Sequence, residues 1–265
     1  MSDDLIVSVA DGVGTIALNR PEVLNAVTAE MSDALAAAVL EFEHDPAVRA
    51  VLIRGEGRAF CAGGDVKYFH DELTKDRQGH ARRMERRVTN GHLTYRRLRR
   101  MPKPVIVAPH GITAGLGISL MCCADVVMAA DSAEFSLAYR HIGLSLDGGV
   151  SFFLPRIVGE RRALQISLMG ERFGADKALD WGLVNWVVPE ADLIADSDKL
   201  ARGLANGPTQ ALGRIKRLIR RSLQSDWEDQ SAEEARTMSE SIATDDHLEG
   251  VTAFVEKRRA KFTGK

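Results

Sequence analysis

The chain has 265 residues with 45% apolar side chains and a mass of 29.0 kDa, enough to bury the core of one large α/β domain or two small ones. Its 35 Lys and Arg stand against 37 Asp and Glu, a formal charge of -2, which excludes a global polycation that coats nucleic acid. The longest unbroken apolar run, Ala34 to Leu40, is far short of the roughly 18 to 20 residues of a spanning helix, and mean hydropathy is -0.13, so no membrane association is expected.

The start, Met1-Ser2-Asp3-Asp4, is acidic; it lacks the basic n-region of a secretory signal and the Arg-rich character of a transit peptide. Leu5 to Val9 and Val13 to Leu18 are β-rich runs joined by Ala10-Asp11-Gly12, which predicts a hairpin. Thr28 is placed to cap a helix whose apolar residues Met31, Leu35, Val39 and Phe42 recur every three or four positions until Pro46. Val48 to Arg54, Pro104 to Ala108 and Asp125 to Ala130 are apolar runs of strand length, separated by glycine-rich loops and helical stretches. That alternation predicts an α/β layer with buried strands. From about Ala191 the pattern is only helical: Pro208 opens a helix carrying Leu212, Ile215, Ile219 and Leu223, and further helices are expected to run to Phe262. Two regions are therefore expected, a core over residues 1–190 and a helical extension over 191–265, packed on that core or on a neighbouring subunit. Three cysteines, two of them adjacent at Cys122 and Cys123, build neither a disulfide framework nor a C-x-x-C zinc site. A reducing cytoplasm is the expected compartment. The seven histidines show no H-x-x-x-H spacing, so no metal is expected.

Of the 23 glycines, many fall in four clusters: Gly12 and Gly14, Gly55 to Gly64, Gly115 to Gly117, and Gly148-Gly149. The second follows a strand but lacks the third glycine of a dinucleotide fingerprint and the G-K-[ST] of a P-loop. The third holds G-x-S-x-M rather than the G-x-S-x-G of a nucleophile elbow. Both leave backbone N–H groups free, one set in a tight loop and one at a helix start, where orphan donors and the helix dipole favour an anion.

Leu18-Asn19-Arg20-Pro21 with Leu24-Asn25-Ala26, GRAFCAGGDVKYF (Gly57 to Phe69), KPVIVAPHGITAGLGISLMCCAD (Lys103 to Asp125), SAEFSLAYRHIGLSLDGG (Ser132 to Gly149), LDWGLVNWVV (Leu179 to Val188) and AFVEKRRAKFTG (Ala253 to Gly264) follow in order along nearly the whole chain. Together they resemble the enoyl-CoA hydratase/isomerase, or crotonase, superfamily. The resemblance implies a crotonase-like spiral of repeated ββα units, a C-terminal helical region that forms a homotrimer or hexamer, and an acyl-CoA thioester substrate. Coenzyme A arrives as part of the substrate, so no separate cofactor is expected. It further implies an oxyanion hole from the N–H groups of Ala62 and Leu116, and a CoA-binding segment of Ala62, Gly63, Gly64, Asp65 and Val66 with Val23 and Leu24 beside it. An oxyanion hole suits this chemistry, because removing an α-proton from a thioester leaves charge on its oxygen, and losing one donor costs about 2.7 to 4 kcal/mol of barrier.

The chain departs from the hydratase pattern at two positions. Hydratases of the family carry two glutamates, at the places where Ser119 and Tyr139 stand here, and water addition needs both an acid and a base. Asp147 matches instead the acidic position of isomerases in the family, epoxyphenylacetyl-CoA isomerases included, and one carboxylate suits a proton shuttle. By itself Asp147-Gly148 is also a common turn dipeptide. The alternative readings are an enoyl-CoA hydratase and an aryl-CoA dehalogenase, the latter with Asp147 as nucleophile, His92 as base, and Tyr139 where a tryptophan stands in the dehalogenases. Otherwise Tyr139 is expected in the wall of an acyl pocket, with Leu144, Phe152 and Phe153 beside it. A non-enzymatic alternative is RNA binding by the stretch from Arg77 to Lys103, with ten Lys or Arg and a single acid, Glu85. With a net charge of -2 the expected role of that stretch is a solvated helix face, so nucleic acid is not an expected partner.

Overall fold

The computed structural model describes residues 3–265; Met1 and Ser2 of the acidic start lie outside the described residues. β1 (Leu5–Ala10) and β2 (Val13–Leu18) form the predicted hairpin, with Leu5 opposite Leu18. A 3-10 turn at Pro21–Val23 leads to α1 (Ala29–His44), where the Thr28 side chain accepts a hydrogen bond from the Met31 N–H and Met31, Leu35, Val39 and Phe42 are buried. The chain continues through β3 (Ala50–Gly55), β4 (Ala59–Cys61), α2 (Val66–Lys75) and α3 (Arg77–Arg100). Then come β5 (Val105–Ala108), β6 (Ile112–Ala114), α4 (Leu116–Cys123), β7 (Val126–Ala130) and β8 (Glu134–Ser136). A second 3-10 turn, Ala138–Ile142, precedes α5 (Val150–Val158), α6 (Glu160–Met169), β9 (Phe173–Gly174), α7 (Ala175–Asp180) and β10 (Trp186–Val188).

The repeat of two strands and helix is visible in how the strands are shared. β3, β5 and β7 are the first strands of successive units and lie parallel in a six-stranded sheet of order β1-β2-β3-β5-β7-β10. β4, β6 and β8, the second strands, lie parallel in a second sheet of order β4-β6-β8-β9. The apolar runs read as buried strands because both faces are covered. Val51 and Ile53 face one core with Phe42, Leu98 and Ile118, while Leu52 between them faces the other with Ile106, Leu193 and Ala201.

The helical tail consists of α8 (Glu190–Ala205), α9 (Thr209–Ser222), α10 (Trp227–Ile242) and α11 (Asp245–Val255). α8 supplies the second core with Leu193, Ala201 and Ala205. α9 is anchored by charge: the buried Lys216 Nζ donates to the carbonyls of Leu98 and Lys103 and lies 2.7 Å from Asp125 Oδ2. The expectation of helix as far as Phe262 needs correction. α11 stops at Val255, Lys257 takes a φ of 56°, and the following residues turn back so that Arg49 binds the Phe262 carbonyl. Arg258 of the basic run pairs with Glu249 and Glu256. No helix among the described residues is long and apolar enough to cross a membrane.

Candidate active site

The segments expected at CoA come together through backbone bonds. Asn25, fully buried, accepts from the Arg20 N–H and donates to the carbonyls of Glu56 and Ala59, clamping the Leu18 to Ala26 turn onto the loop between β3 and β4. The Ala62 N–H then donates to the Leu24 carbonyl at 2.9 Å. Val23 and Val66 are exposed beside this junction, and Leu24, Ala62 and Gly64 are partly so. Asp65 is the N-cap of α2: Oδ1 accepts from the Tyr68 N–H at 3.1 Å and Oδ2 lies 3.4 Å from Arg20 Nη1. Its carboxylate shapes the loop.

One expected donor is corrected by this pairing. Because the Ala62 N–H is already bonded to Leu24, it is not available to an oxyanion. Gly64 is the free donor in the loop. It forms an isolated parallel bridge with Val27, in which Gly63 C=O and Asp65 N–H make the bonds; the N–H of Gly64 itself therefore faces away from Val27 and has no partner among the described residues. Leu116, the first residue of α4, likewise has an N–H without a partner, as helix geometry requires. The two loops touch: a Cβ built on Gly115 would lie 3.5 Å from Gly63 Cα and 3.8 Å from the Tyr139 hydroxyl. Gly115, at a φ of 48°, thus permits the approach.

The side chains of the site gather on the other flank of α4. Tyr139, in the 3-10 turn after β8, donates from its hydroxyl to Asp147 Oδ1 at 2.5 Å. Asp147 also serves as the turn residue that its sequence suggested, since its carbonyl accepts from the Val150 N–H at the start of α5. Gly148 follows at a φ of 59°, and a Cβ there would collide with Ser119 Oγ. Ser119, fully buried on α4, reaches the Tyr139 phenol with its hydroxyl. The two positions that depart from the hydratase pattern thereby stand together beside Asp147, with Tyr139 bonded to it. Burial first, and then the Asp147 charge, raise the Tyr139 phenol well above its ordinary value, so it stays a neutral donor.

Sequence reasoning overlooked Tyr95. It sits on α3, partly buried against the core, and its ring edge would lie 3.4 Å from a Cβ at Gly148. Only packing across the fold reveals it, since Tyr95 is flanked by the arginines that read as a basic face. His92, one turn earlier, is exposed. Several arginines of α3 are engaged within the chain: Arg83 with Glu72, Arg97 with Glu43, and Arg87 over the Tyr68 ring. Phe153 packs on the core under Arg99, whereas Phe152 and Leu144 are exposed. The Cys61 thiol beside the loop is pushed up to about 11 by burial and is not a nucleophile at neutral pH. No group of His, Cys, Asp and Glu among the described residues has the makings of a metal site.

Residues 8–265 match the enoyl-CoA hydratase/isomerase family. The 1,2-epoxyphenylacetyl-CoA isomerase of Escherichia coli K12 is 37% identical over 100% of both chains. The 4-chlorobenzoyl coenzyme A dehalogenase-2 of an Arthrobacter species is 34% identical over 93% of this chain and 88% of its own. Among solved structures, one from Mycobacterium abscessus described as an enoyl-CoA hydratase/isomerase superposes with a TM-score of 0.94 at 34% identity, covering 98% of this chain and 100% of that one. A parallel two-sheet spiral, glycine loops meeting at a helix start, and sequence similarity along the full length agree: this chain belongs to the enoyl-CoA hydratase/isomerase family.

Proposed function

We propose that this family member is an acyl-CoA isomerase in which the N–H groups of Gly64 and Leu116 hold the thioester oxygen and Asp147 carries a proton between two carbons of the acyl group. The Asp147 carboxylate takes a proton from one carbon; the electron pair left behind moves into the thioester carbonyl, giving an enolate whose oxygen the two N–H groups stabilise. The same proton returns to a second carbon as the enolate collapses, so a double bond moves and nothing is gained or lost overall. Asp147 is regenerated.

The observation that carries this reading is the 2.5 Å hydrogen bond from Tyr139 to Asp147. It orients one carboxylate and fills a position where a hydratase of the family would hold a second acid. Ser119, at the other such position, supports the same phenol. A single acid that both removes and returns the proton is what isomerisation needs; hydration needs two groups acting on water and carbon. The dehalogenase reading has less behind it, because its base, His92, is exposed and forms no hydrogen bond or ion pair with Asp147 among the described residues. The exposed apolar residues of the tail, including Ile219, Trp227, Met238 and Phe254, fit burial against further copies of the chain, as the expected trimer or hexamer would provide.

The deciding experiment supplies 3-enoyl-, 2-enoyl- and chlorobenzoyl-CoA to the wild type and to Asp147→Asn. Isomerisation by the wild type that falls by about 10²- to 10⁴-fold in the variant is expected for loss of an acid–base group. Unchanged isomerisation in Asp147→Asn would falsify the assignment. Water addition at the faster rate would make the chain a hydratase, and chloride release that depends on His92 would make it a dehalogenase.

A further inference from the structure

The proton shuttle as drawn leaves one polar group unused. Tyr95 reaches the site from α3, opposite Tyr139, with its ring against Gly148, the residue that follows Asp147. Its hydroxyl makes no hydrogen bond with any described residue, whereas Tyr139 is bonded to Asp147. An apolar residue of the same shape would pack as well against Gly91 and Gly148, so the packing does not account for the hydroxyl. An acyl group that displaces water from this hydroxyl without offering an acceptor leaves it unsatisfied, at a cost of roughly 1 to 3 kcal/mol. Burial first, and then the Asp147 charge, hold this phenol well above its ordinary value, so it is a donor at any working pH. The nearby carboxylate does not take that proton, because the Tyr95 hydroxyl is not within bonding distance of it.

We propose that Tyr95 is a specificity-determining residue, donating to an oxygen atom carried by the acyl group near Asp147, so that the site prefers oxygen-bearing acyl-CoA thioesters to all-hydrocarbon ones. Any acceptor oxygen serves, whether ether, epoxide, hydroxyl or carbonyl. The discrimination follows from the unpaired donor: a hydrocarbon acyl group leaves it unsatisfied, and sites built to bond a polar substrate group reject the analogue that lacks it. This inference rests on the placement of the acyl group beside Asp147 under the proposed function, though not on the chemical step.

The test uses the full chain and a series of saturated acyl-CoA thioesters that cannot react. One is all-carbon; in each of the others a single methylene of the acyl chain is replaced by an ether oxygen at successive positions. Dissociation constants are measured for the wild type and Tyr95→Phe. The best ether analogue is expected to bind the wild type about 5- to 10-fold more tightly than the all-carbon parent, and Tyr95→Phe is expected to erase that preference without weakening the parent. A wild type that prefers none of the ethers overturns the proposal, and so does a preference that survives in Tyr95→Phe. If Tyr95→Phe does not fold, the wild-type ratio still decides. The same preparations are assayed for isomerisation. Ether preference without isomerisation removes the proton shuttle and keeps the role of Tyr95; isomerisation without ether preference does the reverse.

Discussion

The site has two halves that are built differently. On one side, Gly64 and Leu116 contribute backbone N–H groups, held by loop pairing and by a helix start. On the other, the side chains of Asp147, Tyr139 and Ser119 lie together, with Tyr139 bonded to Asp147. The backbone half depends on chain path and tolerates changes of side chain wherever the path survives. The side-chain half depends on residue identity. Such a division would let one fold keep the half proposed to hold the thioester while the reaction is altered in the other, in keeping with the isomerase and dehalogenase names among its relatives.

Substitutions break this contrast in order of size. Asp147→Asn, assayed as above, has the largest expected effect. Gly148→Ala comes next: a φ of 59° and the collision with Ser119 Oγ would displace Asp147, and roughly 10²-fold lower kcat with a lowered Tm is expected. A Gly148→Ala enzyme with wild-type kcat would show that Asp147 needs no such placement. Tyr139→Phe removes one orienting bond and is expected to lower kcat about tenfold with KM little changed; an altered pH–rate profile would mark the loss of a group that touches the acid. Leu116→Ala keeps the N–H and should leave kcat within about threefold. A loss as large as that of Tyr139→Phe would mean the leucine side chain does more than cover the helix start.

The smallest effect concerns pH. Two of the three tyrosines, Tyr95 and Tyr139, are raised above their ordinary value. Their contribution to stability is present below about pH 10, the unfolded value, and is lost as pH rises past it, because the unfolded chain ionises first. Absorbance titration should therefore find the Tyr95 and Tyr139 phenols still protonated in the native protein at a pH where the unfolded chain has already ionised them. Native-state ionisation of these two phenols at the same pH as in the unfolded chain would contradict the burial of the site.

Much of this was readable from the chain. Thr28 before an apolar periodicity, and runs such as Val105 to Ala108, are local signals, and the structure places α1 and β5 there. Asp147 was singled out by its segment. The choice between Ala62 and Gly64 was not local: two residues of one loop, with Gly63 between them, differ in that Leu24, nearly forty positions before Ala62, occupies the Ala62 N–H. Tyr95 was hidden because its flanking arginines dominate the pattern of α3, while its ring turns inward beside Gly148. The tail beyond Val255 looked helical by composition, and the Arg49 bond that draws it back comes from the far end of the chain.

The sequence by itself determined the alternation of strands and helices, the family, and the acid at position 147, because these rest on neighbouring residues or on long ordered motifs. A balanced charge and a moderate apolar content excluded a polycation and bounded the size of the core. Tertiary structure alone decided which N–H groups remain free and which hydroxyls meet the carboxylate. The physical reason is that a hydrogen-bonding group is defined by what has already satisfied it, and in this fold the satisfying partner lies in a distant segment.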